Sequence, residues 1–583
     1  MASAVIPVDV ETRVPRGDAP LVHRFFARAE ATPHEEAFAV YPAGAASPSA
    51  RLTWGSWCQQ VQALAIVLLD AGVAPGDRVA VLAGNRPVWP IADLAIQALG
   101  AVGVGLYPSS APAQIDALLA DSGACWLITD DATQARRLAA APNGGDLRGV
   151  VLDTHEPVSS TARLQTLASV LDAGAAQLAQ DPTARDRLTA RRESVTPDHL
   201  AALIYTSGST GIPKGACITH RYLAASAESI AAVLDLTAAD RGLSFLPYSH
   251  AAERIFGQCT RILVGMPAAL IEDPSDLFPV AAHYEPTLFG ALPRIFERLY
   301  EAAEVAEGRG EDPRAAMAQR IGTRVRLATS GGAALPIAVA ERLDALGLRI
   351  LGAYGQTEHL CVAMNRPAAP RFDTVGPPMP GTQLRVDEQG ELLIARSALT
   401  FSGYWRRAEE TAAAFTADGA WLRTGDQAAL LPDGAVRITG RVKELIALST
   451  GRKVAPLPIE AALTATPLIA HAVVHGEGRK YLVALVSLRR EMVEQWAASR
   501  GLALGWPDLA THPAVEAEVQ AAVATVNTDL ARTDRVQAVA MVSDVFTPEN
   551  GLLTPTLKVI RRAVEARYVE QFDALYRRGG GGP

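Results

Sequence analysis

Cysteine is scarce in this chain: five residues in 583, at positions 58, 125, 217, 259 and 361. They are odd in number, scattered, and never spaced as Cys-x-x-Cys. That excludes a disulfide framework and a structural zinc site, and it points to a reducing compartment. Positive charge is not in surplus either. The 54 Lys and Arg are outnumbered by 62 Asp and Glu, for a net charge of −8. With no dense basic stripe, nucleic acid is excluded as a main partner. No run of about 18 apolar residues occurs, because the stretch at 62–74 is broken by Gln62 and Asp70, so no membrane span is expected. The N-terminus, Met-Ala-Ser-Ala-Val-Ile-Pro-Val-Asp, lacks a basic start followed by an apolar core, and no signal peptide is expected. Together these absences lead to the expectation of a cytoplasmic protein. They leave open a weak peripheral contact with the inner face of a membrane. They say nothing of oligomeric state, a homodimer included.

What is present is the composition of an ordinary globular protein, 49% hydrophobic and 20% charged, in a chain too long for one compact core. From 76 to 355, short apolar runs alternate with helical spacing. Runs at 78–83, 125–130, 149–153, 200–205, 242–246, 268–271, 287–292, 325–329 and 349–354 read as buried strands. Segments such as 91–101, 221–234 and 336–347 have a period near 3.6. The alternation predicts α/β layers with mostly parallel sheets, whose ligands sit beyond the carboxyl ends of the strands. From 372 to 440 short strands with Gly and Pro turns predict a β-rich subdomain, and an α+β pattern follows Gly440. The expected organisation is a large N-terminal domain over 1–440 and a small C-terminal domain over 441–583. The tail from about 577, Arg577-Arg578 followed by four glycines and Pro583, has no means of packing and is expected to be disordered.

The apolar run 200–204 empties into Tyr205-Thr-Ser-Gly-Ser-Thr-Gly-Ile-Pro-Lys-Gly215. Thr206, Ser207, Ser209 and Thr210 offer hydroxyl donors. Gly208 and Gly211 let backbone N–H groups approach an anion, and Lys214 adds a positive charge. The spacing is not that of a P-loop, in which Ser or Thr follows the lysine; here Gly215 does. Taken alone, such a loop is as often a flexible surface turn. These eleven residues resemble the phosphate loop of the AMP-forming acyl-adenylating enzymes, which include acyl-CoA synthetases, luciferases and peptide-synthetase adenylation domains.

Further segments resemble that family in its own order along most of the chain. In Tyr354-Gly355-Gln356-Thr357-Glu358 the resemblance implies that Tyr354 packs on adenine, that Gly355 belongs to the ATP site, that Thr357 reaches the α-phosphate, and that Glu358, with Thr206, holds Mg²⁺. Ser330-Gly331-Gly332-Ala333 resembles the stretch lining the adenine and the acyl chain. Asp426, in Trp421-Leu-Arg-Thr-Gly-Asp426, is implied to accept from both ribose hydroxyls. Ile438-Thr-Gly-Arg-Val-Lys-Glu-Leu-Ile446 resembles the hinge, with Arg441 on ribose or phosphate and Lys443 as the point about which a mobile small domain swings. Ser449-Thr-Gly-Arg-Lys-Val454 resembles the loop that meets coenzyme A, through Gly451, Arg452 and Lys453. Leu553-Thr-Pro-Thr-Leu-Lys558 resembles the catalytic-lysine segment, in wording typical of long-chain acyl-CoA synthetases. Leu246-Pro-Tyr-Ser-His-Ala-Ala-Glu-Arg254 resembles their acyl tunnel mouth, where His250 orients the carboxylate or gates the tunnel, or is a packed structural histidine. Residues 291–300 resemble the same branch and read as a helix start.

The implied activity is a long-chain fatty acid–CoA ligase of the AMP-forming type using ATP, Mg²⁺ and coenzyme A, with Lys558, Glu358 and Thr206 as the catalytic set. The same segments admit a fatty acyl-AMP ligase that loads a carrier protein, or a ligase for medium-chain or aryl acids. More remotely, they admit a non-catalytic nucleotide-binding protein of the same fold. No insertion is evident between 355 and 440, where acyl-AMP ligases carry one.

Overall fold

The computed structural model describes residues 14–140, 147–154, 156, 161, 163–206, 213–506, 508–547, 550–554 and 558–579. The apolar runs form buried strands, as expected where a sheet is covered on both faces. The largest sheet has seven strands, in the order Leu164–Thr166, Gly149–Leu152, Ala124–Thr129, Arg78–Leu82, Val102–Leu106, Leu200–Thr206 and Lys214–Thr219. All neighbours run parallel except the last two, an antiparallel pair whose register sets Thr206 opposite Lys214. This corrects one expectation: Lys214 opens a strand and is not a loop residue. Ser207, Gly208, Ser209, Thr210 and Gly211 lie outside the described residues.

Two glycines in the strand Val102–Leu106 mark close packing. A Cβ on Gly103 would stand 2.7 Å from the Arg254 guanidinium, and one on Gly105 2.9 Å from the Ser249 backbone. A second sheet orders Gly242–Ser244, Ala268–Ile271, Glu36–Tyr41 and Ala50–Thr53. In a third, Leu288–Ala291, Leu327–Ser330 and Ile350–Gln356 run parallel, and His359–Met364 folds back against the last.

Helices cover these sheets and begin on short polar side chains. Thr53 and Ser56 exchange hydrogen bonds in a capping box at the start of Trp54–Asp70. The Thr219 hydroxyl accepts from the Tyr222 N–H to start His220–Leu234. The helix Val88–Ala98 is buried on every side, Asp93 and Gln97 included.

Residues 384–441 form a four-stranded antiparallel sheet, Leu384–Val386, Glu391–Ala395, Trp421–Leu430 and Val436–Arg441. From Ile446 onward a separate apolar core assembles around Ile469–His475, Leu482–Leu488 and Val536–Val542, backed by the helices Pro456–Thr464 and Pro513–Thr528. The architecture is mixed α/β, a large N-terminal domain followed by a smaller C-terminal one. The last helix, Val569–Gly579, continues past 577, where the sequence leads one to expect an unpacked tail. Residues 580–583 lie outside the described residues.

Candidate active site

Strand ends from the first and third sheets meet the antiparallel sheet and the small domain at one cavity of about 1070 Å³. This is where α/β sheets place ligands. The cavity has a polar half and an apolar half.

Asp426 anchors the polar half. It is 3% exposed and stands in register opposite Arg441 on the neighbouring strand. Its carboxylate accepts from the Tyr354 hydroxyl and pairs with Arg441 Nε at 2.9 Å. Burial lifts the Asp426 pKa, and the guanidinium of Arg441 opposes that rise. A carboxylate has about four acceptor positions, so two partners leave room for a ligand hydroxyl. Gly355, between Tyr354 and Thr357, permits a tight turn: a Cβ there would lie 1.8 Å from the Leu360 carbonyl oxygen. The buried Tyr222 hydroxyl locks that turn, donating to the Thr357 carbonyl at 3.0 Å and accepting from the Leu360 N–H at 2.8 Å.

Glu358 accepts a hydrogen bond from the Tyr404 hydroxyl, and the Lys214 ammonium lies 5.4 Å from the centre of the Tyr404 ring. Tyr404 therefore ties the carboxylate to the lysine, and through the strand register to Thr206. It is a site residue that the sequence segments above do not single out. The signal was local and weak: Phe401-Ser-Gly-Tyr-Trp405 is an aromatic cluster in a turn-rich stretch. Its backbone adds to the edge of Lys214–Thr219 through bonds between Trp405 and Gly215 and between Cys217 and Gly403. Among the described residues no group of three or more His, Cys, Asp or Glu could hold a metal ion. Mg²⁺ needs only one or two carboxylates when substrate phosphates and water complete its shell. Glu358 with the Thr206 hydroxyl is a donor set of that kind.

Lys558 reaches the cavity from the small domain. The Thr554 and Lys558 backbones hold its segment, with Thr554 N–H donating to the Lys558 carbonyl at 2.8 Å. Although its surface is open to the cavity, protein surrounds it. That enclosure lowers its pKa, as does Arg441, while Asp426 raises it. His250, which also borders the cavity, feels its charge. Burial, and then the Lys558 charge, push the His250 pKa down to about 4. The His250 Nδ1 accepts from the Ala252 N–H at 3.1 Å, so the proton of the neutral ring sits on Nε2. Lys558 thus acts on Asp426 and Arg441 and on His250.

The apolar half runs between the helix His220–Leu234 and the third sheet, past Ile230, Phe256, Met266, Leu288, Met364 and Met379. Three of the seven methionines collect here, flexible side chains suited to an adaptable wall. One side is the π-helix Ala252–Cys259, a rare conformation that clusters at functional sites. Glu253 within it, bonded by the Ser244 hydroxyl at 2.7 Å, is pushed up to about 7 by burial.

Thr206, Lys214, Gly332, Tyr354, Gly355, Thr357, Glu358, Arg441, Lys443, His250 and Lys558 all border the cavity. Asp426 lies just behind its wall. Ala333 is exposed and does not border it. Nor do Gly451, Arg452 and Lys453, which lie exposed on the short hairpin Ile446–Ala447 and Lys453–Val454. There Arg452 forms a two-bond pair with Asp534, both distances 2.7 Å.

Comparison with known proteins follows this geometry. The AMP-binding enzyme family matches residues 25–405, and the AMP-binding enzyme C-terminal domain matches 443–579. Long-chain-fatty-acid–CoA ligase FadD15 of Mycobacterium bovis is 33% identical over 90% of this chain and 92% of the ligase. Its namesake in Mycobacterium tuberculosis is 32% identical over the same shares. Among solved structures, the anthranilate CoA ligase AuaEII with anthranoyl-AMP superposes with a TM-score of 0.77 at 20% identity, over 96% of this chain and 98% of that one.

Proposed function

We propose that this chain, which belongs to the AMP-binding enzyme family, is a long-chain fatty acid–CoA ligase. ATP and a fatty acid give acyl-AMP and pyrophosphate, and coenzyme A then takes the acyl group and releases AMP. The observation that carries the proposal is the single cavity, lined by polar groups and by an apolar wall and bordered by a lysine of the small domain. The FadD15 relatives support the same substrate class.

In the first reaction a carboxylate oxygen attacks the α-phosphorus, the bond to the bridging oxygen breaks, and pyrophosphate leaves with the electron pair. The two anions must be aligned and their repulsion reduced. Lys214 and Lys558, which both border the cavity, supply fixed positive charge. The neutral His250 presents Nε2–H toward the acid and adds no competing charge. Asp426 and Tyr354 position the nucleoside. Mg²⁺, held by Glu358 with Thr206, would neutralise charge on the phosphates. In the second reaction the coenzyme A sulfur bonds to the acyl carbon, its proton passes to solvent, and AMP departs. A swing about Lys443 would turn Gly451, Arg452 and Lys453 toward coenzyme A.

No helix among the described residues is long and apolar enough to cross a membrane. All five cysteines are free, and four are buried, which supports a cytoplasmic enzyme.

The test is pyrophosphate release from ATP with saturated acids ranging from short to long, followed by addition of coenzyme A. Release that rises with chain length, and conversion to thioester by coenzyme A alone, are expected. Preference for aryl or medium-chain acids, or transfer that requires a carrier protein, would overturn the proposal.

A further inference from the structure

The two domains also meet away from the cavity, at a buried cluster of charge. The helix Pro293–Gly308 follows directly on the strand Leu288–Ala291, whose end borders the cavity. On its first turns Arg294 donates to Glu297 at 3.1 Å and to Glu301 at 2.9 Å. Two carboxylates against one guanidinium leave a net negative charge on this face. Arg489 of the small domain enters it, with Nε 3.4 Å from Glu301 and Nη2 3.6 Å from Glu297. Arg489 is 4% exposed and Glu301 5%, so water does not screen the pairing strongly. Alongside, Gly308 packs next to the Gln495 amide; a Cβ there would stand 3.3 Å from it.

Each half of this contact also keeps partners within its own domain, although Arg489 Nε makes no hydrogen bond on either side. Arg489 donates to the carbonyls of Thr464, Thr466 and Pro467, the end of the helix Pro456–Thr464 and the turn after it. Glu297 and Glu301 keep Arg294. Separation therefore hydrates groups that retain partners and leaves no bare charge in an apolar site. An interface of that kind can be made and broken repeatedly, whereas an apolar contact of equal area would expose its whole surface on opening.

We propose that Arg489 is a positioning residue for acyl-AMP formation. Its pairing with Glu297 and Glu301 docks the small domain with Lys558 at the cavity, and its release frees that domain to turn for thioester formation. This rests on the two-step function proposed above.

The test uses the full chain with Glu297→Gln and Glu301→Gln combined, which leaves Arg489 and its carbonyl partners in place. Glu297→Gln alone, at the more open position, is the milder variant. Acyl-AMP formation should fall roughly tenfold in the double variant, within the usual span of coupling between sites. Thioester formation from supplied acyl-AMP should hold or quicken. Hydrogen exchange should rise in 293–308 and 489–499 and stay unchanged in the seven-stranded sheet. Both half-reactions falling together, or an exchange pattern identical to the unmodified chain, would overturn the role of Arg489. An unmodified chain that releases no pyrophosphate would instead overturn the function, and the exchange result would still judge the docking.

Discussion

Replacing Asp93 by Leu probes how the acyl side of the cavity is held. Asp93 and Arg254 are each 1% exposed and form an ion pair. Gln258 donates to Asp93 at 2.7 Å and Gln97 at 3.0 Å. Beyond Asp93, Arg254 has one long bond of 3.4 Å to the Gly103 carbonyl and the face of Trp89 at 5.4 Å, and its Nε has no partner. Leucine keeps the branched outline and removes the countercharge, so the guanidinium is stranded. Breaking a buried pair from one side costs about 3–5 kcal/mol. Arg254 sits in the π-helix that walls the apolar half, so the same change should loosen that wall. Urea unfolding of the full chain, followed by the summed fluorescence of its eight tryptophans, reads the loss. The midpoint should drop for Asp93→Leu and recover in part when Arg254→Met is added, because the stranded charge is gone while Gln97 and Gln258 still lack the acceptor that Asp93 supplied. An unchanged midpoint in the single variant, or a double variant no better than the single, would refute the reasoning.

Stability should fall on acidification. Burial pushes His220 and His359 down to about 3 and His250 and His471 to about 4, from 6.5, so the unfolded chain takes up protons that the folded one refuses as pH drops from 6.5 toward 4. Glu253, raised to about 7 from 4.5, works the other way, adding stability that is lost as pH climbs toward 7, and the buried carboxyls of Asp130, Glu301, Asp426 and Glu460, also raised by burial, offset a further part of the loss. Urea midpoints from pH 7 to pH 5 that stay level or rise would contradict this balance. A second expectation concerns chain length. Phe256→Trp narrows the apolar half, and each methylene that no longer fits forfeits about 0.8 kcal/mol, roughly fourfold in kcat/KM. An unaltered ratio of long to short acids would count against that wall contacting the chain.

Buried parallel strands were legible because they are continuous apolar runs: the runs at 78–83, 125–130 and 149–153 became neighbours in one sheet. The strand Val102–Leu106 was not, because its glycines, required by Arg254 and Ser249, break the apolar pattern. Lys214-Gly215 looked like loop for a similar reason, a charge and a glycine at the head of a short strand. Within the site, Tyr354, Glu358, Asp426, Arg441 and Lys558 were legible through family wording. Tyr404 and Tyr222 were not, since each acts by a hydroxyl bond to a segment distant in sequence. The pairing of Glu301 with Arg489 has no sequence signature at all. It exists only because two domains dock, and no periodicity relates residues so far apart.

The central claim is that one cavity carries two reactions and that Lys558 serves the first. Its most direct test is Lys558→Ala with the half-reactions measured separately. Pyrophosphate release from ATP and a long-chain acid should be abolished, while coenzyme A should still convert supplied acyl-AMP to thioester at close to the unmodified rate. Equal loss of both would contradict it.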